Sequence, residues 1–207
     1  MKDPDPAVDA SAGLAPLGRV AGLVLAGGEG RRFGAIKQLA PLGGRPLLEH
    51  VLRAVEAVPA LHPLVLVVGA HADEVARGVD LGPFALVVAP DWAEGQAASL
   101  RAGVAALGGA DAALVCLGDQ PFITPQVIAG TLDHERCGLD AVRAVYDGVP
   151  GHPVLLTRPL LDRVPELRGD VGARDLLRGM RVGTWEAGHL CDPADIDTRE
   201  QLEATGR

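Results

Sequence analysis

Along the first half of the chain, short aliphatic runs alternate with amphipathic segments: VAGLVLAG at 20–27, LVLVVG at 64–69, FALVVA at 84–89 and ALVCLG at 113–118. Between them lie PLLEHVLRAVEAV at 46–58, DEVARGV at 73–79 and a segment from 95 to 107, all with apolar residues at helical spacing. Strands apolar on both faces and joined by helices feed a mostly parallel sheet, so the expected class is α/β. In the first helix Pro46 suits the first turn, and Leu47, Leu48, Val51, Leu52, Val55 and Val58 share one face that should pack on the sheet. Ala97, Leu100, Val104 and Leu107 do the same in the segment from 95, with Arg101 pointing elsewhere and the N-terminus free to face a ligand. Further on, 141–146 and 153–156 read as strands, 173–178 as a short helix, 181–185 as a last strand and 198–204 as a closing helix.

A length of 207 residues suits one domain, expected over 19–207. Residues 1–18 carry three prolines and three aspartates with no apolar period, the mark of a disordered leader. A net charge of −8 repels polyanions, and three Phe, two Trp and one Tyr are too few rings for a stacking platform. Nucleic acid is therefore excluded as a partner, and so is an anionic membrane surface. No apolar run approaches the ~20 residues that span a bilayer. Cys116, Cys137 and Cys191 are far apart, and no secretory signal pattern opens the chain, so a cytoplasmic location is expected. His134-x-x-Cys137 and His189-x-Cys191 do not complete a four-ligand zinc pattern, and no GxSxG elbow marks a hydrolase.

Any phosphate chemistry must then be local, and the stretch LAGGEGRRFGAIK at 25–37 offers it. It follows a strand pattern, and Gly27, Gly28 and Gly30 let backbone N–H groups approach a phosphate where a β-carbon would obstruct. Arg31, Arg32 and Lys37 add positive charge, enough for a triphosphate. Apart from Lys2, Lys37 is the single lysine in a chain whose other basic residues are arginines, which points to a compact charge with a chemical task. The loop is not Walker A, because Gly34 is followed by Ala35 and Ile36. It also departs from the dinucleotide fingerprint, since Phe33 stands where the third glycine belongs.

Asp119 follows the strand pattern at 113–118 immediately, so it should point into the same crevice and could hold Mg²⁺ against phosphates. Asp197 belongs to the cluster DPADIDT at 192–198, where either it or Thr198 could instead cap the closing helix. The stretch PDWAEGQAASLR at 90–101 combines a loop with a helix start and puts Ser99 where it could read a base edge. His152 lies in a turn, and GDVGAR at 169–174 is a second glycine-bearing loop with Asp170 and Arg174, a candidate anchor for an anionic acceptor.

Taken in order, these segments resemble the MobA-like nucleotidyltransferases, and most closely their molybdenum cofactor cytidylyltransferase branch. LAGGEGRRFGAIK resembles LAAGxGxRMGxxK, PDWAEGQAASLRAG resembles NPxWxxGMxxSLxxG, and GDQP resembles the metal-binding GD-x-P; GHPVLL, GDVGARDLL and DIDTREQL resemble later blocks. The resemblance spans about Val20 to Leu202. It implies a Rossmann-like three-layer α/β/α fold with a mixed sheet and transfer of CMP from CTP to the phosphate of molybdopterin, releasing pyrophosphate. By the same resemblance Leu25, Ala26, Gly27, Gly28 and Gly30 wrap the nucleotide, Gly118 also belongs to the nucleotide site, Arg32 and Lys37 meet the triphosphate, and Gly95 and Ser99 lie beside the base. Asp119, next to Gly118, would bind Mg²⁺ with Asp197 as a second contact, while His152, Asp170 and Arg174 belong to the acceptor side. A molybdoenzyme would be the client. Two departures bear on the base: Ala-Gly-Gly at 26–28 also resembles the guanylyl branch, and Gln96 stands where methionine is usual. Guanylyl transfer, nucleotidyl transfer to a sugar phosphate, cofactor delivery without turnover and a pigment-type reductase are the alternatives.

Overall fold

The computed structural model describes residues 17–134, 138–169 and 172–205, so most of the expected leader lies outside the described residues. In chain order the elements are β1 (Val20–Ala26), a two-residue hairpin of β2 (Pro41–Leu42) and β3 (Arg45–Pro46), α1 (Leu47–Glu56), β4 (Leu61–Val68), α2 (Ala72–Gly78), β5 (Ala85–Val88), α3 (Gln96–Ala105) and β6 (Ala112–Leu117). Then come α4 (Pro125–Asp133), β7 (Ala141–Tyr146), β8 (Val149–Thr157), α5 (Arg158–Leu161), α6 (Ala173–Leu176), β9 (Val182–Glu186) and α7 (Arg199–Thr205). The main sheet runs β5-β4-β1-β6-β8-β7-β9, and β8 alone is antiparallel to its neighbours.

The period of two along each strand builds both faces of this sheet. In β1, Val24 and Ala26 pack on one face with Leu48, Val51, Leu52 and Val55 of α1 and with Val127 and Ile128 of α4. Ala21 and Leu23 pack on the other with Leu100 of α3, Leu160 of α5 and Leu176 of α6. The result is three layers, α/β/α, with the mostly parallel mixed sheet in the middle.

The helix starts differ from the sequence expectation in informative ways. Pro46 closes the small hairpin and flanks α1, which begins at Leu47. Gly95 precedes α3 with φ 115°, a conformation only glycine adopts cheaply, so the chain turns sharply there and the helix starts one residue later. A whole helix, α4, was not expected, although Thr124 caps it by accepting from Val127 N–H and Pro125 occupies its first turn.

Candidate functional site

β1 connects outward to β4 and β5, whereas β6 lies on the opposite side of β1, so the carboxyl ends of these two strands form the switch point of the sheet. The Gly118 N–H donates to Leu25 O at 2.9 Å and carries the pairing one residue past the strands. The two loops that follow open over one cavity of about 630 Å³, inside the range of small-molecule sites. Leu25, Ala26, Gly27, Gly28, Gly30, Arg32, Lys37, Gly95, Ser99, Gly118, Asp119 and His152 all line it. Asp197 reaches the same place through its hydrogen bonds. Asp170 and the side chain of Arg174 lie outside the described residues, although Gly172 of the same loop lines the cavity.

The charges form an alternating chain. Lys37 Nζ donates to Asp119 Oδ2 at 2.9 Å and to Asp197 Oδ1 at 3.0 Å, and Arg32 Nη2 donates to Asp197 Oδ2 at 2.7 Å. The Lys37 side chain is only 11% exposed. Burial alone would push its pKa down, but the carboxylates of Asp119 and Asp197 outweigh that and hold it above the ordinary lysine value. At Asp197 burial likewise opposes charge, and Lys37 and Arg32 overcome it to hold the carboxyl below the usual range. Asp195 shows the reverse: burial first, then the Asp119 charge, raises its carboxyl although Gln120 Nε2 donates to it at 2.9 Å. The other oxygen of Asp119, Oδ1, is buried without a hydrogen-bond partner.

Asp197 is delivered by its neighbour. Ile196 is 1% exposed, packs with Phe33, Ala40 and Leu47, and donates its N–H to Asp119 O at 2.9 Å, stitching the 192–197 segment to the Asp119 loop. Capping falls to the next residue. Gln201 N–H donates to Thr198 Oγ1 while Gln201 Oε1 accepts from the Asp197 and Thr198 N–H groups, a reciprocal cap that leaves the Asp197 carboxylate for Lys37 and Arg32.

The glycine loop is held from beneath by Gln38, which sequence reasoning passed over. Gln38 is 6% exposed, and its amide donates to Ala26 O at 2.9 Å and to Gly28 O at 3.2 Å. At Gly27 a β-carbon would collide with the Ser99 hydroxyl, which would have to turn aside to admit it. At Gly28 a β-carbon would meet nothing within 4 Å. Packing therefore does not require a glycine there, and Gly28 lines the cavity.

At the far end, Arg101 ties the pieces around α3 together, donating to Leu167 O and to Glu94 Oε2, both at 2.8 Å, while Ala97 N–H donates to Gly169 O at 3.3 Å. His152 is partly buried; burial first, and the nearby Arg143 second, push its pKa down to about 4. It faces the cavity as a neutral imidazole. Tyr146 donates its hydroxyl to His152 O and braces this stretch, which belongs to β8 rather than to the turn expected around His152, the turn being confined to Asp147 and Gly148. Arg101 and Gln38 act on the backbone carbonyls of Leu167, Ala26 and Gly28, which no local period signals; the one local hint is that Gln38 directly follows the isolated Lys37.

Comparison with known proteins places this architecture. Nicotine blue oxidoreductase of Paenarthrobacter nicotinovorans is 33% identical over 196 residues, covering 88% of this chain and 94% of that protein. Molybdenum cofactor guanylyltransferase of Rhodobacter capsulatus is 39% identical over 116 residues, covering 53% of this chain and 56% of that protein. The crystal structure of Rv0371c from Mycobacterium tuberculosis superposes with a TM-score of 0.81 at 28% identity, over 90% of this chain and 96% of that one, and Rv0371c has also been crystallised in complex with manganese. The model of the MobA-like NTP transferase domain matches residues 22–186, from β1 through the last strand, and the chain belongs to that family of nucleotidyltransferases.

Proposed function

We propose that the protein transfers CMP from CTP to the phosphate of a molybdopterin-type acceptor, with Mg²⁺ and release of pyrophosphate. The observation that carries this reading is the meeting of a glycine loop, the isolated Lys37 and the carboxylate of Asp119 at one switch point. Leu25 to Gly28 and Gly30 would wrap the nucleotide, with Gly95, Ser99 and Gly118 around the base and ribose, and Arg32 and Lys37 on the triphosphate. His152, Asp170 and Arg174 would serve the acceptor.

The residues present fit a hard divalent ion. Asp119 and Asp197 offer oxygen ligands, Oδ1 of Asp119 is buried and unpartnered, and Mg²⁺ typically takes one or two carboxylates and completes its shell with phosphate and water. When bound, such an ion neutralises phosphate charge. The chain's own part is to align the α-phosphorus with the attacking oxygen, to exclude water, and to meet developing charge with Lys37, Arg32 and backbone N–H groups. The acceptor phosphate oxygen bonds to the α-phosphorus, the bond from the α-phosphorus to the β-bridging oxygen breaks, and pyrophosphate leaves.

A pyrophosphate-release assay with CTP, GTP, ATP and UTP against molybdopterin and sugar-phosphate acceptors tests this. Turnover is expected with CTP and molybdopterin; preference for GTP would favour the guanylyl reading, to which Ala26-Gly27-Gly28 also belongs. Tight CTP binding without pyrophosphate would favour cofactor delivery to a molybdoenzyme client. The 33% identity to nicotine blue oxidoreductase supports a second reading, a pigment-type reductase, which nicotinamide oxidation dependent on the protein would reveal. The absence of a dinucleotide fingerprint weighs against it.

A further inference from the structure

We infer that Gln38 is the positioning residue of the phosphate-binding loop, an inference that rests on the nucleotidyltransferase reading. Its side-chain amide is buried and spans two carbonyls of one loop, Ala26 O and Gly28 O. In a trans peptide the carbonyl of one residue and the N–H of the next point in opposite directions. Pinning the Ala26 and Gly28 carbonyls to Gln38 therefore turns the N–H groups of Gly27 and Glu29 away from it, in a loop whose residues 27–30 line the cavity. The two N–H groups of one uncharged amide suffice for this. A carboxylate would set oxygen against oxygen, and an apolar side chain would leave both carbonyls free to flip and the loop free to lose its donors.

Two further observations support the assignment. Gln38 Oε1 is buried with no partner, so the residue carries a cost that a hydrophobic side chain would not. The opposite flip, which would aim Oε1 at the two carbonyls, is worse still, so the amide is locked in the donating orientation. Moreover Gln38 and Lys37 sit in one 3-10 turn, Lys37–Leu39, closed by Ala40 N–H on Lys37 O at 3.0 Å. One residue of the turn orients the loop's backbone donors and its neighbour supplies the cation, so a single rigid unit sets the distance between the two groups that grip the phosphate tail.

The test uses inorganic tripolyphosphate and the four nucleoside triphosphates as probes, with Mg²⁺, by calorimetry on wild type, Gln38→Met and Gln38→Glu. Gln38→Met should bind tripolyphosphate and the best nucleotide at least about tenfold more weakly, with Gln38→Glu weaker still, while the affinity for the corresponding nucleoside without phosphates and the urea midpoint of Gln38→Met stay near wild type. Loss confined to the phosphate-bearing probes separates positioning from a merely structural role. Wild-type affinity of Gln38→Met for tripolyphosphate overturns the inference alone; a wild type that binds none of these probes overturns the nucleotidyltransferase reading and the inference with it. A check that needs no variant is the ¹H–¹⁵N spectrum of the wild type, in which tripolyphosphate should shift the Gly27 and Glu29 amides. Unshifted Gly27 and Glu29 resonances under saturating tripolyphosphate would overturn the inference.

Discussion

Lys37 Nζ and Asp119 Oδ2 lie 2.9 Å apart although 82 positions separate them, and the same ammonium reaches Asp197 Oδ1 at 3.0 Å. One cation thus bridges two carboxylates at the tip of the sheet, where the proposed reaction would need a divalent ion. Lys37→Met and Asp119→Asn should each lower pyrophosphate release by roughly 10²-fold or more, with the fold retained in both. Lys37→Met should also bind Mn²⁺ more tightly than wild type when no nucleotide is present, because the competing cation is gone while both carboxylates remain. Electron paramagnetic resonance titration reads this directly; unchanged Mn²⁺ affinity would mean that the lysine does not hold the carboxylates in solution.

Asp197 and Thr198 are adjacent and have separate tasks. Thr198 caps α7 with Gln201, and the Asp197 carboxylate faces Lys37 and Arg32. Thr198→Ala should cost about 1 kcal/mol of stability or less, given the short terminal helix, and leave kcat near wild type. Asp197→Asn should do the opposite, with a small change in urea midpoint and a loss of turnover of tenfold or more. Parallel denaturation and steady-state measurements on the two variants check the division.

A third contrast sets Gly27 against Gly28. A methyl group at Gly27 strikes the Ser99 hydroxyl of buried α3, so Gly27→Ala should lower stability by roughly 1–3 kcal/mol through overpacking. At Gly28 the same methyl meets nothing of the protein, so Gly28→Ala should fold as wild type and raise the KM for nucleotide. If Gly28→Ala left that KM unchanged, the loop would not approach a ligand at this point.

The α/β class, the glycine loop, Lys37 and Asp119 were legible because each is written locally, in continuous apolar runs, a helical period, a lone lysine among arginines, or an acid directly after an apolar run. Direction was not. The pattern of β8 reads as a strand, but nothing in VPGHPVLLT states that it runs antiparallel to β6 and β7, which depends on where the chain returns to the sheet. The helix α4 was missed although Thr124-Pro125 is a readable start and Val127, Ile128, Thr131 and Leu132 share its buried face at helical spacing. At the site, the sequence left Asp197 and Thr198 as equal candidates for the cap; the side chain of Gln201 decides between them, and the burial of Ile196 decides where Asp197 arrives. Gln38 is the clearest omission, since its partners are carbonyls ten and twelve positions upstream, which composition cannot reveal.

His152 provides a test in pH. Burial, and then the Arg143 guanidinium, lower its pKa from 6.5 to about 4 in the folded protein. The unfolded chain takes up this proton as pH falls through about 6.5, whereas the folded protein takes it up only near 4, so between these values the unfolded state binds more protons. Stability therefore falls as pH falls across that window, by at most roughly 3 kcal/mol from this residue, and is unaffected by it above about pH 7. His152→Gln removes the titration, so its stability in urea should decline less steeply than wild type from pH 7 to 4.5; matching slopes would show that the imidazole is solvated and titrates normally. The same shift bears on the acceptor role proposed for His152, because an imidazole that is neutral at pH 7 would meet a phosphate as a hydrogen-bond donor and not as a cation. The acceptor's KM should accordingly stay flat between pH 6 and 7.5 apart from the titration of the acceptor itself, and a His152-dependent rise in KM from pH 6 to 7.5 would restore a charged role for the ring.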